Sequence, residues 1–444
     1  MSTDVDVVVV GAGFAGLATA SALVDTGVSV VVLEAAARVG GRTDSLAGAS
    51  GTIELGGQWT GPGQQRVGAL AERFGVQMFE TPTEGAFLHA AEGEVAVSER
   101  VPPYTPVVLA LDEIAASIPA DEPWTSPAGA DLDSTPLSSW LDDNVSDAVA
   151  RASALRVLEG LMCVGADQMS VLSILHGATT SGTLAAALGV EGGAQEQRLV
   201  GGLHGLALRL ASELGSRVRL SSPVRIVRDV EDAVEVGYDG GSVRAQRCVV
   251  AVPPPNWAGI TFEPGLPSSH VLLSELMPLG SVIKVQAVYE RPFWRDLGYS
   301  GLVVDEDGPF EFMADNTAPD GDAGVLVSFL SAQDAVAWGD AALGPEASTL
   351  RGDAFARHIR RMFGPTTPDP IGYVDRDWCA VPWVGGGYSG VMKPGGWMRA
   401  GSALREPVGR THFASSESAH EWNGYVEGAL DAGARAAAEV LGEL

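Results

Sequence analysis

The stretch VDVVVVGAGFAGLATASALVDTGVSVVVLE, residues 5–34, decides the fold of this chain. A valine-rich run predicts a buried strand, and it is followed by a glycine-rich turn, an Ala- and Leu-rich helix and a second strand. Gly11 permits the tight turn, Gly13 lets the backbone approach a pyrophosphate, and Gly16 allows close packing of helix on strand. With Glu34 at the end of the second strand, this order predicts a dinucleotide-binding βαβ unit.

The start of the helix and the end of the second strand are the predicted contact points. A helix N-terminus carries partial positive charge, so Phe14 and Ala15 in its first turn are expected beside the phosphates. The second strand is predicted over 28–33. Glu34, followed by Ala35, is placed to accept a hydrogen bond from a ribose 2′-OH and to reject a 2′-phosphate.

Two further glycine-rich segments follow this unit. Residues 38–43, RVGGRT, supply Gly41 with Arg38 and Arg42 for additional phosphate contacts, and residues 53–62, IELGGQWTGP, form another turn. A nicotinamide dehydrogenase needs neither segment. The tail therefore favours FAD over NAD as the dinucleotide.

The C-terminal residues 411–441 predict a strand, a turn and a long alanine-rich helix starting near Gly424. On pattern alone this could be a closing amphipathic helix. The segment nevertheless resembles the flavin motif of the flavin-containing amine oxidases, with Ser415-Ser416 where that motif has Gly-Thr. The matching positions are Phe413, Ala414, Glu417, Trp422, Gly424, Tyr425, Glu427 and Gly428.

Further segments extend the resemblance over essentially the whole chain, and GSVIKVQAVYERPFWR at 280–295 matches best. The chain is therefore similar to the flavin monoamine oxidases and to the bacterial putrescine oxidases. The resemblance implies an α/β flavoprotein with two domains. A Rossmann-like FAD-binding domain is expected from 1–79, 200–275 and 381–444, and a mixed-sheet and helix substrate-binding domain from 80–199 and 276–380.

The resemblance also implies which residues contact FAD. The tether of the family's eukaryotic members is a cysteine immediately before the first cage tyrosine, and this chain has Gly387 there, so FAD is expected to bind noncovalently. The cysteines Cys163, Cys248 and Cys379 are expected to be buried, inert thiols. The implied cofactor-binding residues are Gly11, Gly13, Phe14, Ala15, Gly16, Glu34, Ala35, Arg38, Gly41, Arg42, Gly57, Gln58, Trp59, Val224, Pro253, Trp378, Trp383, Ser415, Ser416, Glu417, Gly424, Tyr425 and Val426.

Lys284 is an anomaly within an apolar, β-branched strand. Only Lys284 and Lys393 are lysines in this chain; the other basic residues are arginine. Residue pattern alone favours an edge-strand lysine whose head reaches water. In the resembled family, however, the matching lysine binds a water that contacts flavin N5, which makes Lys284 a candidate catalytic residue.

Two tyrosines match the family's aromatic cage, in which facing rings orient an amino group over the flavin. They are Tyr388, in the segment WVGGGYSG, and Tyr425. Without the family motifs, both tyrosines would be interpreted as core residues whose hydroxyl groups have hydrogen-bond partners. These tyrosines complete the candidate catalytic set with Lys284.

The resemblance places further residues around the substrate. Gln195 matches a cavity glutamine, Phe312 falls near a cavity gate, and Cys163 falls near the cavity wall. His176 follows the apolar segment VLSIL and could face the same space, although a lone histidine there is more often a satisfied core residue.

Composition limits the partners. A net charge of −28 argues against nucleic acid, which needs basic patches. No apolar run reaches the roughly 18 residues that a membrane helix requires. The three distant cysteines lack a CxxC pair, and the N-terminus enters a strand at once, so a cytoplasmic location is expected. No metal-ligand spacing is found, and no metal is expected.

The predicted function is oxidation of a neutral amine to an imine and then an aldehyde, with O2 reduced to H2O2. One alternative is a flavin-dependent desaturase acting on a carbon skeleton, which would need neither the tyrosine cage nor Lys284. A second is a non-catalytic binding protein on the same fold. The amine's identity and the oligomeric state are left open by the sequence, and a homodimer is one assembly to test.

Overall fold

The computed structural model describes residues 4–48, 51–97, 102–319 and 321–444. In chain order, its strands are β1 (Val5–Val10), β2 (Val30–Leu33), β3 (Ser45–Gly48), β4 (Gly51–Glu54), β5 (Met78–Glu80), β6 (Ala86–Ala91), β7 (Glu94–Val97), β8 (Gln197–Leu199), β9 (Val218–Arg219), β10 (Val224–Val230), β11 (Ala233–Tyr238), β12 (Gly241–Val250), β13 (Thr261–Glu263), β14 (Val282–Tyr289), β15 (Tyr299–Asp305), β16 (Phe312–Asp315), β17 (Gly324–Ser331), β18 (Gly372–Asp377) and β19 (Thr411–Phe413).

The α-helices, again in chain order, are α1 (Phe14–Asp25), α2 (Gln65–Arg73), α3 (Thr105–Ala115), α4 (Gly129–Ser134), α5 (Leu137–Asn144), α6 (Ala148–Met162), α7 (Val171–Ser181), α8 (Leu184–Leu188), α9 (His204–Leu214), α10 (Ser268–Leu276), α11 (Phe293–Asp296), α12 (Ala332–Trp338), α13 (Asp340–Leu343), α14 (Ala347–Phe363), α15 (Gly396–Ala400) and α16 (Val426–Leu441).

The first sheet contains the predicted βαβ unit. Its strand order is β13-β10-β11-β12-β1-β2-β9, and β19 pairs with β12. Strand β1 is parallel to both neighbours, β2 and β12. Val7 and Val9 point into one apolar cluster with Leu17 of α1, whereas Val8 and Val10 point into another. Both faces of β1 are therefore covered, which is why its sequence is continuously apolar.

The second sheet has the order β18-β14-β17-β16-β15-β6-β7 and is mixed, since β15 and β6 are parallel and the other neighbours are antiparallel. Every residue of β14 is buried. Lys284 lies in this strand, opposite Phe329 of β17 and Arg376 of β18. Because β14 has a partner on each side, the edge-strand interpretation of Lys284 is wrong.

A helical layer, α3 to α8, separates β7 from β8 in the sequence. Its apolar residues, such as Leu111, Leu158 and Leu172, belong to a large core cluster that also reaches the first sheet. No helix among the described residues is both long enough and apolar enough to cross a membrane. This layer covers one side of the cavity described below.

The element bounds refine the sequence predictions. Strand β2 begins at Val30 rather than at residue 28, and the C-terminal helix begins at Val426, two residues after Gly424. The strands of the first sheet come from the segments predicted for the FAD domain, and those of the second sheet come from the segments predicted for the substrate domain. The division into two domains at those boundaries stays a prediction.

Candidate active site

A cavity of about 1330 Å³ collects segments from both sheets and from the helical layer. Lys284, Tyr388, Gln195, Phe312 and His176 all line it. The predicted cofactor residues that line it are Gly11, Gly13, Phe14, Ala15, Glu34, Ala35, Arg38, Gly41, Arg42, Gly57, Gln58, Trp59, Val224, Pro253, Trp378, Trp383, Ser415, Ser416, Gly424, Tyr425 and Val426.

Three predicted site residues lie behind the cavity wall. A Cβ on Gly16 would stand 2.0 Å from the Gly11 carbonyl oxygen, so its role is the close packing of helix on turn. Glu417 is 1% exposed and pairs with Arg42. Cys163 is also 1% exposed.

The cofactor end of the cavity is built largely from backbone. Helices α1 and α16 both start at this end, and neither has a side-chain cap at its first turn. Gly11 adopts φ +100°, and a Cβ on Gly13 would find its nearest neighbour, Gly41 Cα, only at 3.9 Å. Backbone N–H groups and helix N-termini that face an open glycine-lined space suit an anionic pyrophosphate.

Glu34 lies at the end of β2, as the dinucleotide pattern requires. Its carboxylate accepts backbone N–H bonds from Ala12 at 2.6 Å and from Ala36 at 2.8 Å. Burial raises the pKa of Glu34, and these two hydrogen bonds oppose that rise. The carboxylate is thereby fixed at the cavity edge, where a ribose hydroxyl could reach it.

Two arginines organise the turn that follows. Arg38 donates to the carbonyls of Gly41 and Thr43, so it braces the loop as well as lining the cavity. Arg42 donates to Glu417 at 2.6 Å and to the Tyr388 carbonyl at 2.8 Å. Although burial alone would raise it, the Arg42 charge holds the pKa of Glu417 below its usual value. Arg42 thus joins three segments that are distant in sequence.

Lys284 lies at the junction between the cofactor end and the rest of the cavity. It is 2% exposed, and its Nζ donates to the Gly56 carbonyl at 2.9 Å and to Gln58 Oε1. The rings of Trp59 and Phe329 have their centroids 5.7 and 5.8 Å from Nζ. The amine is therefore held between two oxygen acceptors and two aromatic faces.

Burial lowers the pKa of Lys284 to about 7; Glu54 opposes this shift and Arg198 adds to it. Glu54 and Arg198 form an ion pair at 3.4 Å, with both side chains 1% exposed. Lys284 consequently changes its charge near neutral pH, which an exposed lysine would not do.

Aromatic rings form the wall beyond Lys284. Trp59 lies 5.9 Å from Phe329 and 6.5 Å from Phe312, measured between ring centroids, and Phe329 makes an edge contact with Tyr388 at 5.8 Å. Tyr425 lines the same cavity at the start of α16. An apolar slot of this kind admits a neutral amine with little desolvation penalty.

The polar residues predicted around the substrate differ in their surroundings. Gln195 Nε2 donates to the Ala187 carbonyl, while its buried Oε1 lacks a hydrogen-bond partner among the described residues. His176 packs 4.6 Å from Trp397, and burial lowers its pKa to about 3, so the imidazole is neutral. Gln195 thus offers an acceptor, and His176 offers an uncharged wall.

The cysteines also differ. Cys163 and Cys248 are buried, as predicted, but Cys379 is exposed, so the prediction that all three thiols are buried is wrong. Cys379 follows Trp378 in a turn after β18, where the chain reaches the surface. Burial, with a contribution from the Glu311 carboxylate, raises the pKa of the Cys163 thiol, which donates a hydrogen bond to the Gly160 carbonyl at 3.5 Å.

Glu311 is a site residue that the sequence analysis missed. It lines the cavity, accepts from Ser331 Oγ at 2.5 Å and lies 3.2 Å from Arg156 Nε. Burial raises the pKa of Glu311 to about 7. The signal was present in PFEFMAD, residues 309–315, where an acid interrupts an apolar run much as Lys284 interrupts its strand.

Comparison with known proteins agrees with this geometry. The model of the family "Flavin containing amine oxidoreductase" matches residues 14–441. Putrescine oxidase from Kocuria rosea is 35% identical, with 98% of this chain and 95% of that protein covered. A solved putrescine oxidase with bound putrescine and cyclohexylamine oxidase from Brevibacterium oxydans IH-35A each superpose with a TM-score of 0.93. They are 34% and 33% identical, and 99% of each chain is covered.

An α/β fold with a glycine-lined dinucleotide cradle beside an aromatic slot defines a flavoprotein oxidoreductase. The chain belongs to the flavin-containing amine oxidase family. It is an FAD-dependent enzyme that oxidises an amine, as predicted. Position 387, next to Tyr388, is glycine, so no sulfur is available there for a covalent bond to the cofactor. Among the described residues, no group of three or more His, Cys, Asp or Glu side chains could hold a metal ion.

Proposed function

We propose that the enzyme oxidises a neutral amine to an imine in this cavity, that the imine is hydrolysed to an aldehyde, and that O2 is reduced to H2O2. When bound, FAD accepts a hydride equivalent from the amine α-carbon and passes the electrons to O2. The observation that carries this proposal is the position of Lys284. It is buried in the same cavity as Tyr388 and Tyr425 and adjoins the glycine-lined cofactor end.

The proposed roles follow from the contacts. Tyr388 and Tyr425 flank the amine and orient its lone pair through their ring faces. Lys284 places an amine or ammonium beside the reacting end of the cavity. Gln195 accepts from the substrate through its buried Oε1, Phe312 narrows the passage, and His176 forms part of the wall, which Cys163 supports from behind.

The predicted cofactor residues are proposed to hold FAD in three groups. The turn at Gly11 to Gly16, with the α1 N-terminus, receives the pyrophosphate, and Glu34 receives the ribose. The segment around Arg42 and Gln58 follows the cofactor toward Lys284. The C-terminal motif at 415–426 contributes the second uncapped helix N-terminus, at the flavin end.

Replacing Lys284 by methionine tests the proposal. Lys284→Met should preserve FAD binding and slow reduction or reoxidation of the flavin at least about tenfold, or roughly 1.4 kcal/mol of barrier. The matched control is Lys393→Met, because Lys393 is the other lysine and does not line the cavity. Stopped-flow traces of both half-reactions that equal the wild-type traces would remove Lys284 from the mechanism.

The pH profile gives a second readout of the same variant. The Lys284 positive charge is present below its pKa of about 7 and is lost above it. If that charge assists reduction of O2, reoxidation slows as the pH rises through this value in the wild type. The profile of Lys284→Met should lack this limb. An identical limb in both proteins would assign it to another group.

A substrate with a second cationic group is a more specific candidate, and Glu311 favours it. A carboxylate that is buried in the cavity wall and lies close to Cys163 and Tyr388 can receive a distal ammonium. An entering cation favours ionisation of a carboxyl group whose pKa burial has raised. A solved relative at 34% identity is a putrescine oxidase with bound putrescine, which supports a diamine.

The comparison of a diamine with a monoamine of equal chain length tests this substrate class. Glu311→Gln should lower kcat/KM for putrescine relative to butylamine by at least about tenfold, or about 1.4 kcal/mol. Glu290→Gln, at an exposed acid, is the matched control. An unchanged ratio in Glu311→Gln, with normal folding, would leave a simple monoamine as the substrate class.

The proposals on cellular location and on assembly rest on general features of the sequence. A cytoplasmic enzyme suits a chain whose three cysteines are widely spaced and form no CxxC pair. A homodimer is the proposed assembly, and light scattering of the purified protein distinguishes it from a monomer. Fractionation of cells that express the native protein tests its location.

A further inference from the structure

A chain of side-chain amides behind Lys284 connects Gln58 to two residues that have no role assigned above, Asn316 and Gln286. Gln58 Nε2 donates to Asn316 Oδ1 at 2.6 Å, Asn316 Nδ2 donates to Gln286 Oε1 at 2.6 Å, and Gln286 Nε2 donates to the Glu54 carbonyl at 2.9 Å. The three amide side chains are at most 2% exposed. At this degree of burial, a lost hydrogen bond within the relay is costly, because the group left without a partner is shielded from bulk solvent.

Both ends of this relay fix its direction. The Glu54 carbonyl can only accept, so Gln286 must turn its NH2 toward it and its oxygen toward Asn316. Asn316 must then present its NH2 to Gln286 and its oxygen to Gln58. The oxygen that remains on Gln58 faces Lys284 Nζ, which donates to it.

Asn316 is the central residue of this relay. Its backbone N–H donates to the Val325 carbonyl at 2.7 Å, and its backbone carbonyl accepts from Arg198 Nη1 at 3.0 Å. These bonds hold the residue just after β16 whatever its side chain does. The Asn316 backbone is therefore held by its own hydrogen bonds, and the side-chain amide bonds only to Gln58 and Gln286 in the relay.

We propose that Asn316 is a positioning residue for the reaction, because its amide holds the Gln58 oxygen toward Lys284 and so fixes the direction in which the lysine amine points. This inference rests on the proposed role of Lys284. Without the Asn316 amide, Gln58 loses its acceptor at the far side, and only its contact with Lys284 still favours the orientation that presents the oxygen. A flipped Gln58 turns its NH2 toward the lysine, where it cannot accept the lysine N–H.

The presence of only two lysines makes the test direct. Protein with 13Cε-labelled lysine gives one signal from Lys284 and one from Lys393, and Lys393→Arg assigns them. The charged groups that act on Lys284 are Glu54 and Arg198, and the variants retain both. The Lys284 signal therefore reports the relay through its titration midpoint, with Lys393 as the internal reference.

Three variants are compared as holoenzymes by this titration, by flavin reduction and by thermal melting. In Asn316→Ala the Lys284 midpoint should fall, because loss of an acceptor for the ammonium disfavours the charged form. In Asn316→Asp it should rise, because the added carboxylate favours that form. Asn144→Ala, on an exposed helix end, should leave the midpoint unchanged.

Flavin reduction should slow about three- to tenfold in Asn316→Ala, as expected for one lost hydrogen bond, and less in Asn316→Asp, which keeps an acceptor for Gln58. Opposite midpoint shifts in the two variants support the proposal. If Asn316→Ala does not fold, a raised midpoint in Asn316→Asp supports it. An unmoved Lys284 midpoint in every folded Asn316 variant overturns it.

The two failures are distinguishable. If Lys284→Met reacts like the wild type, the proposed role of the lysine fails, whatever the signal from the Asn316 variants shows. If Lys284→Met is slow while Asn316→Asp and Asn316→Ala leave the Lys284 titration unmoved, only the positioning role of Asn316 fails.

Discussion

The two ends of the cavity are built in different ways. At the cofactor end, glycines and uncapped helix N-termini supply the surface, and most of it comes from short contiguous segments such as 11–16 and 38–43. At the other end, side chains from distant segments meet, among them Lys284 of β14, Glu311 before β16 and His176 of α7.

This difference concerns what each ligand part requires. A pyrophosphate is bound by backbone N–H groups. Its binding therefore requires a particular chain conformation and enough space for the phosphates to approach the backbone closely. An amine must be oriented by aromatic faces and by groups with tuned ionisation, and these are properties of side chains in a particular environment. A binding site made of backbone groups can therefore be recognised from a short sequence motif. A site made of side chains depends on how distant helices and strands pack together.

The largest expected effect separates two glycines of one motif. Gly16→Ala should destabilise the protein by about 3 kcal/mol or more, because the new methyl meets the Gly11 carbonyl oxygen at 2.0 Å. Gly13→Ala has open space, so it should fold normally and bind FAD at least about tenfold more weakly. Thermal melting and FAD titration of both variants measure these effects. Equal behaviour of the two would break the distinction between packing and ligand glycines.

Release of the cofactor tests whether the cofactor end is entirely noncovalent. The proposed FAD contacts from the backbone, Glu34 and Arg42 would be lost when the chain unfolds. Acid or heat denaturation should therefore leave intact FAD in the supernatant, as measured by absorbance and mass spectrometry. Colour that stays with the precipitate, together with a flavin-bearing peptide containing Cys379, would contradict the placement of Gly387 and, with it, that of Tyr388.

The smallest expected effect tests whether the two tyrosines at the substrate end act on the amine or only pack. Tyr388→Ala and Tyr425→Ala should each lower amine turnover per folded molecule about tenfold, since each removes a ring that we propose orients the amine. Their melting temperatures should change less, because both rings face the cavity. Phe310→Ala, in the core of the second sheet, is the matched control and should lower stability instead. Normal turnover with reduced stability in both tyrosine variants would make them ordinary packing residues.

The sequence predicted the strand, turn and helix at the glycine-lined end of the cavity, because the requirements of these elements are local. Strand β1, the turn at Gly11 and helix α1 follow from residues that are adjacent in the chain. The position of Glu34 at the end of β2 follows in the same way. The placement of Lys284 in the substrate region was suggested by an anomaly of residue type, but pattern alone favoured an edge strand.

Only the tertiary structure decided what surrounds that lysine. Burial between β17 and β18 sets its ionisation near neutral pH, and the amide relay through Asn316 brings together residues from β14 and from the segments after β4 and β16. The burial of Glu311 in the cavity wall and the exposure of Cys379 were likewise determined by the packing of distant segments. The physical reason is that desolvation and hydrogen-bond partnership depend on neighbours in space, whereas turn geometry and helix starts depend on neighbours in sequence.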